Sequence, residues 1–269
     1  MTLKRRIKSF LQKALGPLYK PLWKVFFKIK MLVIDSRLKE NDYIVQLEGI
    51  NSLFYLPFIK TDEIQYDIYF SKDYYVRKSL DYVAYVWHDG EIGKVVKSNA
   101  MLDIGSNIGN HTLYFLNECG AKFVYCFEPV IDTFEILKRN IEINHLEDRT
   151  NLFNVGVGSK MGGAIIASSK HNNTAYTKIA VSETGSIKVV SVDEMDISES
   201  IGFAKIDVEG FELEVIKGMQ ETLKRDKPIV LIEIWDENLD EINKIMLSQG
   251  YKVHVLEKRR TQGDYIYYK

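Results

Sequence analysis

The chain has 269 residues, 46% of them hydrophobic and 27% charged, and 36 Lys+Arg nearly balance 37 Asp+Glu to a formal net charge of -1. Those figures exclude a disordered, collagen-like or coiled-coil chain taken as a whole. The near-neutral total hides an asymmetry: residues 1–34 hold nine basic groups and no acid, so the remainder carries 27 basic groups against 37 acidic ones.

The basic leader, residues 1–40, is amphipathic. Leu3, Ile7, Phe10, Leu11 and Leu15 recur at three- and four-residue steps, then come Leu18, Leu22, Trp23, Phe26 and Phe27, with breaks at Gly16-Pro17 and Pro21. Lys13, Lys20, Lys24, Lys28 and Lys30 interrupt every apolar run. That leaves neither a secretory core of about 7–15 apolar residues nor a span of about 20. Two readings fit equally: a helix lying on an anionic membrane surface, or a helix packed on the domain with its lysines solvated. The expected location is the cytoplasm, with peripheral contact at the inner membrane face through residues 1–34. Cys119 and Cys126 show no metal-ligand spacing and read as reduced core thiols.

Residues 41–97 read as a β/helical cap. Alternating apolar residues over 43–47 and 53–56, around Gly49 and Asn51, suggest a hairpin, and 64–70 suggests a third strand. Residues 78–97 read as helix with a break near Asp89-Gly90. The aromatic set Tyr66, Tyr69, Tyr74, Tyr75, Tyr82, Tyr85 and Trp87 is expected mainly in the core, with stacking on a sugar as the alternative.

Over 98–269 short apolar runs alternate with helical stretches. The runs lie at 101–104, 123–127, 152–157, 203–206 and 229–234; the helical stretches at 110–119, 132–145, 211–225 and 237–249. This alternation predicts an α/β fold with a mostly parallel sheet covered on both faces. Residues 251–256 and 265–268 predict a terminal antiparallel hairpin. An insertion at 158–192 is expected to hold short strands at 164–167 and 187–192.

The segment Asp103-Ile-Gly105-Ser106-Asn107-Ile-Gly109-Asn110-His111-Thr112 follows a strand and opens a helix, as a nucleotide loop does. A pyrophosphate-binding loop would have glycine at 107 and 110, where this chain has asparagine. An acid at 103 suits a ligand ammonium, and Glu128, closing the next strand, suits two ribose hydroxyls. A ligand with a ribose, an ammonium and no phosphate points to S-adenosylmethionine rather than NAD.

Together with Phe127-Glu128-Pro129, Asn140 and Asn144, Ser191-Val-Asp193, Lys205-Ile-Asp207-Val-Glu209-Gly210-Phe-Glu212 and Pro228 with Glu233, this segment resembles the FkbM family of S-adenosylmethionine-dependent methyltransferases. The resemblance covers roughly residues 80–256; Ser106 stands where that family usually has alanine. It implies a Rossmann-like class I methyltransferase fold with a seven-stranded sheet. It also implies cofactor contacts at Asp103, Gly105, Ser106, Asn107, Gly109 and Glu128, with Asn154 and Val155 near the adenine.

Methyl transfer to oxygen needs an aligned nucleophile and a proton acceptor. Asp207, Glu209 and Glu233, at or just beyond the ends of neighbouring strands, are the candidate catalytic carboxylates. They are compatible with Mg²⁺ or Mn²⁺, but no metal-ligand set is assigned. His171, in a polar loop, is a weaker catalytic candidate; His111 is expected to face its own helix, and Glu91 to stand near the cofactor. The acidic main part argues against nucleic acid. The expectation is an O-methyltransferase acting on a hydroxyl of a glycan, a lipid-linked sugar or another small molecule. The alternatives are a nicotinamide-dependent oxidoreductase and a non-enzymatic membrane-associated scaffold with a degenerate cofactor pocket. Oligomeric state is not legible in the sequence.

Overall fold

The computed structural model describes residues 43–170, 173–182 and 184–269. The basic leader and His171 lie outside them.

Strands β1 (Ile44–Gln46) and β2 (Leu53–Tyr55) pair antiparallel, as the alternation suggested. The next segment is not a third strand but helix α1 (Glu63–Ser71). Asp62 caps it by accepting the Gln65 N–H at 2.8 Å, and Glu63 complements the positive end of the helix. Ile64, Tyr66, Ile68 and Phe70 alternate as a strand would, but Tyr66 meets Phe70 one turn on, at 4.4 Å between ring centroids. Helix α2 (Arg77–Asp81) runs into a π turn (Tyr82–Val86) and a 3-10 turn (Trp87–Gly90), and α3 (Glu91–Ser98) follows. The expected break is real: His88, Asp89 and Gly90 all have positive φ.

The main sheet combines β3 (Ala100–Ile104), β4 (Phe123–Phe127), β5 (Thr150–Phe153), β10 (Ile201–Ile206), β11 (Ile229–Trp235), β12 (Lys252–Lys258) and β13 (Gln262–Tyr268). Its order is β12-β13-β11-β10-β3-β4-β5. All pairs are parallel except those of β13 with β11 and β12. This is the Rossmann-like class I methyltransferase arrangement, closed by a reversed strand. Helices α4 (Asn110–Asn117), α5 (Ile131–Ile143), α6 (Glu212–Lys217), α7 (Gln220–Asp226) and α8 (Asp236–Ser248) connect the strands. Ala100, Leu102 and Ile104 face a core shared with Val215, Ile216, Leu223 and Ile242. Alternate residues Met101 and Asp103 point to the opposite face.

Two sequence boundaries shift for packing reasons. The run 152–157 divides, because β5 ends in the main sheet whereas β6 (Gly156–Val157) pairs with β9 (Ile187–Val190) in a second sheet. The expected helix 211–225 divides between α6 and α7 at Gly218, where a Cβ would stand 1.9 Å from the Gly158 carbonyl oxygen. The second sheet has the order β6-β9-β7-β8. It adds an unexpected strand, β8 (Asn173–Val181), to β7 (Gly162–Lys170). Among the described residues β8 is an edge strand that pairs with β7 alone, so it needs no continuous apolar run. No helix among the described residues is long and apolar enough to cross a membrane.

Candidate functional site

The chain leaves β3 to build one side of the sheet and returns through β10 to build the other, so the ends of these strands flank the switch point. A cleft of about 350 Å³ opens there. Its floor is the loop after β3. Gly105 turns with φ 77°, and a Cβ there would lie 1.8 Å from the Asp207 carbonyl oxygen, so the position accepts only glycine.

Every loop amide from 105 to 109 has an internal acceptor. Gly105 and Ser106 each donate to the Phe127 carbonyl at 3.0 Å, Asn107 to Glu128 Oε2 at 3.0 Å, Ile108 to Asn107 Oδ1 at 2.7 Å and Gly109 to the Ser106 carbonyl at 2.9 Å. A phosphate cradle needs such amides free. Glu128 also accepts the Val130 amide at 2.9 Å through Oε1. It lines the cleft, and burial pushes its carboxyl up to about 7 although both amides oppose the shift. Each of its oxygens keeps lone-pair capacity for a hydroxyl donor.

Beneath the loop lies a buried ion pair. Asp103 and Lys205 are direct cross-strand partners of β3 and β10, and their side chains are 0% and 4% exposed. Lys205 Nζ donates to the Gly105 carbonyl at 2.6 Å and stands 3.3 Å from Asp103 Oδ1 and 3.9 Å from Asp207 Oδ2. Burial alone would lower the ammonium pKa, but Asp103 and Asp207 outweigh it and raise it. Thr112 donates to Asp103 Oδ2 at 2.6 Å. His111, two residues past Gly109, lines the cleft rather than simply facing its helix. Burial and then the neighbouring Lys205 hold it down to about 4, against Asp103 and Asp207, so its imidazole is neutral at neutral pH.

The far wall carries carboxylates. Asp207, Glu209 and Glu233 offer oxygens that all lie within 4.8 Å of one another, a donor set that suits a hard divalent cation. Glu209 sits at φ 53° on the turn after β10, and burial, then Asp207 and Glu233, push it up to about 8. Burial takes Glu233 up to about 7, with Asp207 adding and Arg259 opposing. Glu233 faces Asp264 across β11 and β13, and Arg259 donates to both, at 2.7 Å to Asp264 Oδ1. Burial raises Asp264 to about 6 against Arg259.

Tyr75, Val76, Ser79 and Leu80 of the cap and Thr177 and Ile179 of β8 complete the lining. Three asparagines fasten the cap to the core. Asn110 accepts the Tyr75 amide at 2.9 Å and donates to the Tyr75 carbonyl at 3.2 Å. Asn140 accepts from the Tyr55 amide and donates to the Ile108 carbonyl of the loop, and Asn144 bonds both backbone groups of Leu53. Each side chain thus acts as a short piece of neighbouring strand.

Of the residues singled out from sequence, Gly105, Ser106, Asn107, Glu128, Val155, Asp207, Glu209 and Glu233 line the cleft. Asp103 does not: it is buried behind the loop and meets Lys205 instead of a ligand ammonium. Asn154 bonds the Glu128 and Pro129 carbonyls at 2.9 and 3.2 Å and so holds the loop that carries Glu128. Gly109 packs against Leu137 as it opens α4. Glu91 is exposed and pairs with His88. Tyr74 and Trp87 are buried, Tyr82 and Tyr85 are exposed, and Tyr75 faces the cleft. The sequence reading quoted Lys205 within a motif but gave it no role, and it gave none to Arg259 or Asp264. Only Lys205 left a signal, a charge inside an otherwise apolar strand. Cys119 and Cys126 are buried free thiols.

Residues 103–253 match the Methyltransferase FkbM domain. The chain is 32% identical over 142 residues to the hexuronic acid methyltransferase AglP of Haloferax volcanii, which covers 51% of this chain and 56% of that relative. It is 24% identical over 182 residues to Methyltransferase 1 of Beauveria bassiana, covering 58% of this chain and 73% of the relative. The chain thus spans little more than half the length of the Haloferax protein. Among solved structures, a methyltransferase FkbM from Methylobacillus flagellatus KT is similar at a TM-score of 0.49 and 21% identity, covering 64% of this chain and 44% of that one.

Proposed function

Because the chain belongs to the FkbM methyltransferase domain family, we propose that it is a methyltransferase that uses S-adenosylmethionine to methylate a hydroxyl of a glycan or lipid-linked sugar. The observation that carries the cofactor reading is the state of the loop. Its amides at 105–109 all bond internally, so these five offer an anion nothing, while Glu128 presents a carboxylate to the cleft. That chemistry fits a ribose diol and a cationic ligand, and disfavours the pyrophosphate of a nicotinamide cofactor. A retained, organised carboxylate floor equally disfavours a degenerate pocket.

When bound, S-adenosylmethionine supplies an electrophilic methyl group. Glu128 would hold the ribose, with Gly105, Ser106, Asn107 and Val155 along the cleft. At the far wall Glu209 is matched to take the acceptor's proton, since a base works best with a pKa near the working pH. Asp207 and Glu233 would orient the acceptor hydroxyl. The sugar reading is supported by the hexuronic acid named for the Haloferax relative. The test is thermal: S-adenosylhomocysteine raises the melting temperature and NADH does not. Stabilisation by NADH alone would overturn the reading.

A further inference from the structure

Lys205 is a buried charge in the central sheet, and balancing Asp103 does not account for where its ammonium points. Its short hydrogen bond, 2.6 Å, goes to the Gly105 carbonyl. Asp103 Oδ1 is farther, at 3.3 Å, and lies in charge contact without hydrogen-bond alignment. On the cleft side the same nitrogen reaches Asp207 Oδ2 at 3.9 Å. Gly105 donates its N–H outward to Phe127, which leaves its carbonyl turned back toward β10. Without Lys205 that half-buried carbonyl would lose the side-chain donor that fixes its direction.

We infer that Lys205 is a positioning residue: its buried ammonium ties the Gly105 carbonyl of the loop to the Asp207 side chain, so that the cofactor floor and the acceptor wall hold one fixed geometry. Asp103, directly across in register, and Thr112 behind it keep the ammonium charged and aimed. A lysine suits this task because one compact ammonium can donate a hydrogen bond to the carbonyl while its charge attracts the two carboxylates. The inference rests on the S-adenosylmethionine reading above.

The test separates positioning from charge balance. Lys205→Met removes donor and charge and destabilises the fold as well, because Asp103 is left alone. Asp103→Asn/Lys205→Met restores neutrality, and Asp103→Asn/Lys205→Gln restores neutrality and returns an amide donor. Calorimetric titration with S-adenosylhomocysteine gives affinity, and thermal melting gives fold. The expected result is a Met double variant with recovered melting temperature but at least tenfold weaker binding, and a Gln double variant that regains part of the loss. A Met double variant that binds within threefold of the wild type overturns the inference. Wild-type protein that binds no S-adenosylhomocysteine would sink the cofactor reading instead.

Discussion

The two walls of the cleft handle charge in opposite ways. On the floor the charged groups are held by fixed contacts: Lys205 stands against Asp103, Thr112 donates to Asp103, and Glu128 accepts two backbone amides. On the far wall, Asp207, Glu209, Glu233 and Asp264 crowd together with Arg259 as the cation that donates to Glu233 and Asp264. The floor is built to stay put. On the wall, burial first and then the neighbouring carboxylates push Glu209, Glu233 and Asp264 up, so that three adjoining groups titrate near neutral pH. A rigid ligand platform beside a proton-sensitive wall is what a group transfer to a hydroxyl requires.

Breaking the floor should have the largest effect. Asp103→Ala leaves the Lys205 ammonium buried beside one exposed-side carboxylate, and should cost about 3–5 kcal/mol in urea unfolding. A loss below about 1 kcal/mol would mean that the pair behaves as a surface contact. Next, Glu128→Gln replaces an acceptor of hydroxyls by a group of half the accepting capacity. The dissociation constant for S-adenosylhomocysteine should rise roughly ten- to hundredfold, since hydrogen bonds to a charged group contribute about 1.5–3 kcal/mol; unchanged affinity would remove Glu128 from the ribose site.

The smallest effect sharpens the contrast by pH. Glu209, Glu233 and Asp264 of the wall have folded pKa values of about 8, 7 and 6, above their ordinary values of 4.5, 4.5 and 3.8, and Glu128 of the floor adds one more group at about 7 against 4.5. The folded state therefore binds more protons than the unfolded one between these limits. The stability they contribute is present below their ordinary values and is lost as pH rises through about 6 to 8. Melting temperature should fall across that range, and Glu209→Gln should flatten the fall. An equally steep profile in the variant would show that Glu209 does not sense the cluster.

Some of this was legible in the chain because it depends on local rules. Asp103-Ile-Gly105 and Gly109 announce a tight strand-to-helix turn, and the crossover order follows from alternating runs and helices. The segment 64–70 reads as strand because Ile64, Tyr66, Ile68 and Phe70 alternate, although Tyr66 and Phe70 equally suit one helix face; the Asp62 cap decided between them. β8 was missed because an edge strand pairs on one side only.

Sequence alone determined the fold class, the glycine loop and the positions of Glu128, Asp207, Glu209 and Glu233, since each follows from chain order at strand ends. Tertiary structure decided what those positions touch. It turned Asp103 inward to Lys205, brought His111 and Arg259 into the cleft, and used Asn110, Asn140 and Asn144 as fasteners for the cap. The reason is physical: backbone geometry repeats over a few residues and is written locally. A buried charge instead takes whichever partner lies across the sheet, here 102 positions away in the chain between Asp103 and Lys205.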